Sequence, residues 1–118
     1  MTTVLVVDDE PDILLLHRLN LERAGHRVVL AADGLTALER IGTDEPDAVV
    51  LDVMMPVLDG WGFLERLRDD DAPPPVLVVS AKSSPGDVQR ARRLGAADYL
   101  AKPYDSEELV RRVAALLG

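Results

Sequence analysis

Short apolar runs alternate with amphipathic stretches along the whole chain. The runs are TVLVV (3–7), RVVLA (27–31), AVVL (48–51), VLVV (76–79) and DYLA (98–101). Runs this short, rich in valine and bounded by polar or turn residues, suit strands buried on both faces of a parallel sheet. Between them, the pattern predicts helices over Pro11–Ala24, Gly34–Ile41, Gly60–Arg68, Pro85–Leu94 and Ser106–Leu117. Strict alternation of strand and helix implies right-handed crossovers and helices on both faces of the sheet. Local signals agree. Gly25, Gly42 and Gly95 stand where helices should stop. Ser84–Pro85 is a cap followed by a first-turn proline, Asp105 and Glu108 have capping-box spacing, and Pro73–Pro75 leads extended into the fourth strand.

The first helix carries an ambiguity. Ile13, Leu14, Leu15 and Leu16 cannot all face one core at 3.6 residues per turn. With Ile13, Leu16 and Ala24 inward, Leu15 and Leu19 become an outward pair four residues apart. His17 and His26 share no face and read as partly exposed structural histidines. Arg90, Arg92 and Arg93 read as the solvated side of the fourth helix, with Leu94 inward. Trp61 reads as packing, close enough to Asp52 to report on its surroundings.

Chemistry gathers at the strand ends. The first strand leads into Asp8 and Asp9, the third ends in Asp52, the fourth in Ser80, and the fifth leads into Lys102. In open α/β sheets this carboxyl edge is where ligands bind. Three carboxylates packed together repel unless a cation neutralises them. Mg²⁺, with oxygen ligands and open positions for phosphate, suits them. Asp52 is then a nucleophile able to accept a phosphoryl group as an acyl phosphate. Lys102 would neutralise charge on the transferred oxygens, Ser80 would donate its hydroxyl to one of them, and small Ala81 leaves access. The bland alternatives are that Asp8 and Asp9 cap the first helix and that Asp52 serves a turn. Lys102–Pro103 is a candidate cis peptide.

Composition narrows the field. One domain over 1–118 suits this length, 47% of residues are hydrophobic, and there is no cysteine for a disulfide, a thiolate or a Cys-bound metal. No signal segment or membrane-spanning run is seen, so a cytoplasmic location is expected. A net charge of −8 argues against nucleic-acid binding by this chain, and 3% aromatic residues offer little to stack a flavin or base.

Four motifs together, VLVVDDEP (4–11), VVLDVMMPVLDG (49–60), VLVVSAK (76–82) and GAADYLAKPYDSEEL (95–109), resemble the receiver domain of two-component response regulators. The resemblance covers nearly the whole chain. It implies a (βα)5 flavodoxin-like doubly wound sandwich, its five-stranded parallel sheet in the order 2-1-3-4-5. It also implies that Asp52 is the phosphoacceptor, Asp9 a direct metal ligand, Asp8 a ligand through water, and Met54 a ligand through its carbonyl. Ser80 and Tyr99 would be the switch pair. The donor would be a phosphohistidine on a sensor histidine kinase or phosphotransfer protein. That partner would dock on Leu15, Leu19 and the Pro103–Tyr104 loop. The output would be a downstream protein or domain, or a homodimer, reached through the fourth helix, fifth strand and fifth helix. The protein would be a phosphoacceptor switch that catalyses only its own modification. An apolar Met54, which with Lys82 flanks the path of hydrolytic water in the family, would lengthen the phosphoryl lifetime.

Two departures stand out. Ala97 replaces the first of two acids before the switch aromatic, which weakens the expected dimer charge network, and Val57 replaces a frequent glycine. Gly62 has no functional account. The main alternative is a haloacid-dehalogenase-like aspartyl-phosphate phosphatase or phosphotransferase, but such enzymes want an acid where Met54 stands. A flavodoxin-like cofactor protein would need a hydroxyl- and glycine-rich loop where Asp8–Asp9–Glu10 stands.

Overall fold

The computed structural model describes residues 1–118 except Pro56 and Ser83. Pro56, part of the turn expected after Asp52, therefore lies outside the described residues. In chain order the elements are β1 (Thr3–Val7), α1 (Pro11–Arg23), β2 (Arg27–Ala31), α2 (Gly34–Asp44) and β3 (Ala48–Asp52). There follow α3 (Gly60–Arg68), β4 (Val76–Ser80), α4 (Pro85–Arg93), β5 (Asp98–Ala101) and α5 (Ser106–Leu117). All strand pairs are parallel and the sheet runs β2-β1-β3-β4-β5.

The three central strands are buried along their length, while β2 and β5 are partly open as edges. Alternate residues feed two cores. Leu5, Val7, Val49, Leu51, Val76 and Val78 pack with Ala37 of α2, Phe63, Leu64 and Leu67 of α3, and Ala91 of α4. Val4, Val6, Val50, Leu77 and Val79 pack with Leu21 of α1 and Leu109 and Val113 of α5. Period-two alternation thus assigns each helix to one face.

Most helix ends follow the local chemistry. Asp33, Asp59, Ser84 and Asp105 each accept a backbone N–H of the first turn. Asp105 receives Glu108 N–H at 2.8 Å, but the Glu108 carboxylate turns to Arg112 and Arg111, leaving half a capping box. Gly25 and Gly95 take φ of +99° and +100° beyond their helices. Gly42 does not end α2. The helix runs on to Asp44, and Glu45 takes the left-handed turn at φ 45°.

On α1 the expected rotation is corrected. Leu16 and Ala24 do not face inward; the inward line is Leu14, His17 and Leu21. Leu15 and Leu19 point outward as expected, and Leu16 joins them. The three are 54%, 51% and 48% exposed. Gly62 also gains an account: a Cβ there would lie 2.6 Å from Leu58 Cδ1, so glycine makes room for that side chain.

Candidate functional site

Four neighbouring strands each bring one polar group to the carboxyl edge of the sheet. Asp8 follows β1, Asp52 closes β3, Ser80 closes β4, and Lys102 follows β5. The carboxylate of Asp52 is buried. Its Oδ1 accepts Met54 N–H at 3.0 Å and its Oδ2 lies 3.4 Å from Lys102 Nζ. The Lys102–Pro103 peptide, which the sequence left open as a candidate, is cis.

Asp8 is almost wholly buried. Its Oδ1 accepts Glu10 N–H at 3.0 Å, while Oδ2 has no hydrogen-bond partner among the described residues. Burial pushes its carboxyl up to about 6, and the neighbouring Asp52 and Asp9 add to the rise. Asp8, Asp9 and Glu10 bring ligand oxygens within 4.8 Å of one another. The N-cap of α1 is Glu10, and no side chain caps that helix. So Asp8 and Asp9 are not explained as caps. An unpartnered buried carboxylate oxygen beside further acids suits a hard divalent cation such as Mg²⁺. Glu10 was not among the expected ligands, and the trio does not include Asp52.

Ser80 and Tyr99 meet on one residue of the β4–α4 loop. Ser80 is fully buried and its Oγ accepts Lys82 N–H at 3.0 Å. The Tyr99 hydroxyl donates to the Lys82 carbonyl, and burial holds its pKa above the usual tyrosine value. Both hydroxyls therefore hold the loop beside Asp52.

His17 departs from the sequence expectation, and Arg90 makes a contact that the sequence did not indicate. His17 is buried rather than partly exposed, and its Nε2 lies 2.7 Å from the Tyr104 hydroxyl. Arg90 is exposed with Arg92 and Arg93, as expected, and its guanidinium also lies 4.4 Å over the buried ring of Trp61, a cation–π contact between α4 and α3. Trp61, Arg90, Lys82, Asp59 and Met54 line a cavity of about 530 Å³. On the α5 side, Arg112 grips both oxygens of Asp98 at 3.0 and 3.1 Å. Single Asp98 is thus paired within its own chain. Val57 takes φ 68° and is exposed. Left-handed backbone is costly for a β-branched side chain. Among the described residues, no helix is long and apolar enough to cross a membrane.

Residues 4–114 match the family described as response regulator receiver domain. The alkaline phosphatase synthesis transcriptional regulatory protein PhoP of Bacillus subtilis is 44% identical over 97% of the chain and 48% of its own length. The transcriptional regulatory protein PrrA of Mycobacterium tuberculosis is 47% identical over 97% of the chain and 49% of its own. The chain therefore spans about half the length of these relatives. Among solved structures, the chemotaxis protein CheY4 of Vibrio cholerae superposes with a TM-score of 0.94 at 33% identity, covering 99% of both chains. A Francisella response regulator receiver domain does so at 0.94 and 37% identity, covering 99% of this chain and 97% of that one.

Proposed function

The chain belongs to the response regulator receiver family, and on that premise we propose that it is a phosphorylation switch whose acceptor is Asp52. One observation carries the reading: the buried Asp52 carboxylate lies 3.4 Å from Lys102 Nζ, at the edge that also holds Ser80 and the unpartnered oxygen of Asp8. Asp52 attacks the phosphorus of a phosphohistidine or acyl phosphate. One P–O bond forms and the bond to the donor breaks. Asp8 and Asp9, with Asp52 and the Met54 carbonyl, would hold Mg²⁺. When bound, Mg²⁺ spreads the negative charge of the transferred oxygens. Lys102 offers its ammonium to those oxygens. Ser80 exchanges its bond with Lys82 for one to the phosphoryl group, and Tyr99, which shares Lys82, follows. That rearrangement biases the surface of α4, β5 and α5 toward a downstream protein, output domain or second copy.

A phosphohistidine kinase or phosphotransfer protein would dock on the exposed leucines of α1, including Leu15 and Leu19, and on the Pro103–Tyr104 loop. Met54 remains exposed and apolar beside Asp52 and orients no water, which favours a long-lived phosphoryl group. The dehalogenase-like alternative gains nothing from the relatives, and Met54 occupies the place of its second acid.

Acetyl phosphate with Mg²⁺ tests the reading by intact mass. One phosphoryl adduct is expected, absent in Asp52→Asn and blocked by a chelator. An adduct that survives in Asp52→Asn would put the nucleophile elsewhere.

A further inference from the structure

His17 stands on the inward face of α1, in helical step with Leu14 and Leu21. A leucine would fill that place without burying a polar ring. Instead the imidazole bonds the Tyr104 hydroxyl at 2.7 Å, and its Nδ1 has no partner among the described residues. Burial, helped by Lys102, pulls His17 down to about 4, and burial keeps Tyr104 protonated. The bond therefore joins two uncharged groups.

The segment it ties is the loop from β5 to α5. Lys102 N–H donates to the Ser80 carbonyl at 2.9 Å on one side, and Asp105 caps α5 on the other. Between these anchors, among the described residues, the bond from His17 is the one hydrogen bond that reaches Pro103 or Tyr104. Lys102 immediately precedes that segment and aims Nζ at Asp52.

We propose that His17 is a positioning residue for phosphoryl transfer: through Tyr104 it clamps the β5–α5 loop to α1 and so holds Lys102 over Asp52. The proposal rests on the reading of Asp52 as acceptor and Lys102 as its charge partner. It also makes the exposed leucines of α1 and the Pro103–Tyr104 loop one continuous face for a donor protein.

Three variants test it with acetyl phosphate and Mg²⁺. Tyr104→Phe keeps the ring and removes the hydroxyl. His17→Leu removes the other partner. His17→Gln keeps an amide able to bond Tyr104. The maximal rate should fall roughly 3- to 10-fold in each of the first two, the scale of one lost hydrogen bond. The half-saturating donor concentration should hold, and the double variant should be no slower than either single. His17→Gln should recover most of the rate. A merely structural bond would lower thermal stability and leave the rate per folded molecule intact. A full rate in folded Tyr104→Phe, or additive losses in the double variant, would overturn the proposal.

A second readout needs no phosphorylation. Lys82 and Lys102 are the only lysines of the chain, so ¹³C-methylated lysine NMR can follow Lys102 directly. Its resonance should move in Tyr104→Phe and stay near wild type in His17→Gln. An unmoved resonance sinks the clamp. A moved resonance in a protein that takes no phosphoryl group would keep the clamp and instead refute the acceptor reading.

Discussion

On the face of the sheet covered by α2, α3 and α4, backbones approach so closely that a Cβ on Gly60 would lie 2.4 Å from Val53 Cα. On the face covered by α1 and α5, a histidine occupies a core position and three leucines stay outside. The first face is closed by tight apolar packing, with Arg90 stacked over Trp61 at its rim. The second gives up apolar burial on α1 and retains a polar bond, His17–Tyr104, next to the carboxyl edge that holds Asp52 and Lys102. The contrast separates a face given over to packing, where α3 is buried, from one whose α1 leaves Leu15, Leu16 and Leu19 exposed and which is the docking face under the proposed function.

Breaking the packed face should have the largest effect. Phe63 is fully buried against Leu5, Leu51 and their neighbours. Phe63→Ala should cost about 3–5 kcal/mol, read as a lower urea midpoint. Loss under about 1 kcal/mol would mean that this face is looser than described.

The reactive edge should show itself in pH. His17 lies at about 4 against an ordinary 6.5, so the unfolded chain binds its proton first; its stability contribution is complete above pH 6.5 and lost as pH falls toward 4. Asp8 lies at about 6 against 3.8, so its contribution is complete below 3.8 and lost as pH rises through 6. In metal-free protein the two oppose each other between about pH 4 and 6, each worth about 1–3 kcal/mol. Asp8→Asn should therefore leave a stability that climbs with pH across that window. His17→Gln should leave one that falls. The same slope in both variants would contradict the assignment. Asp8→Asn should also raise metal-free stability at pH 7, a gain obtained by giving up a proposed ligand.

Smaller effects sharpen the comparison. Val57 takes φ 68° in the loop that leads into α3, and Val57→Gly should stabilise by roughly 1 kcal/mol. A loss of stability would show that the valine side chain is needed there. Smallest is Leu15→Asp on the outer face of α1. Its stability change should stay within about 0.5 kcal/mol, while transfer from a phosphohistidine protein weakens and acetyl phosphate labelling survives. Equal loss of both would remove α1 from the docking face.

Much of this was legible because it is periodic or sits at a strand end. Valine runs bounded by turns marked β1, β3 and β4, and whatever follows a parallel strand must lie at the carboxyl edge, so Asp8, Asp52, Ser80 and Lys102 could be placed together. What misled was local or tertiary. Gly42 looked like a helix stop, but α2 runs on for two residues and Glu45 takes the turn instead. On α1, hydropathy favoured leucine inward, whereas the helix buries His17 because a hydroxyl 87 residues away receives it. Arg90 over Trp61 and Leu58 over Gly62 arise from loops and neighbouring helices meeting, which no spacing within one element reveals.

The central claim, that Asp52 carries the phosphoryl group, is tested most directly by locating it. Protein treated with acetyl phosphate and Mg²⁺ would be reduced with borohydride, which converts an aspartyl phosphate to homoserine, and sequenced by mass spectrometry. Homoserine at position 52 alone is the predicted result. Homoserine at Asp8 or Asp9 with an intact aspartate at 52, or a phosphoryl group left on Ser80, would contradict it.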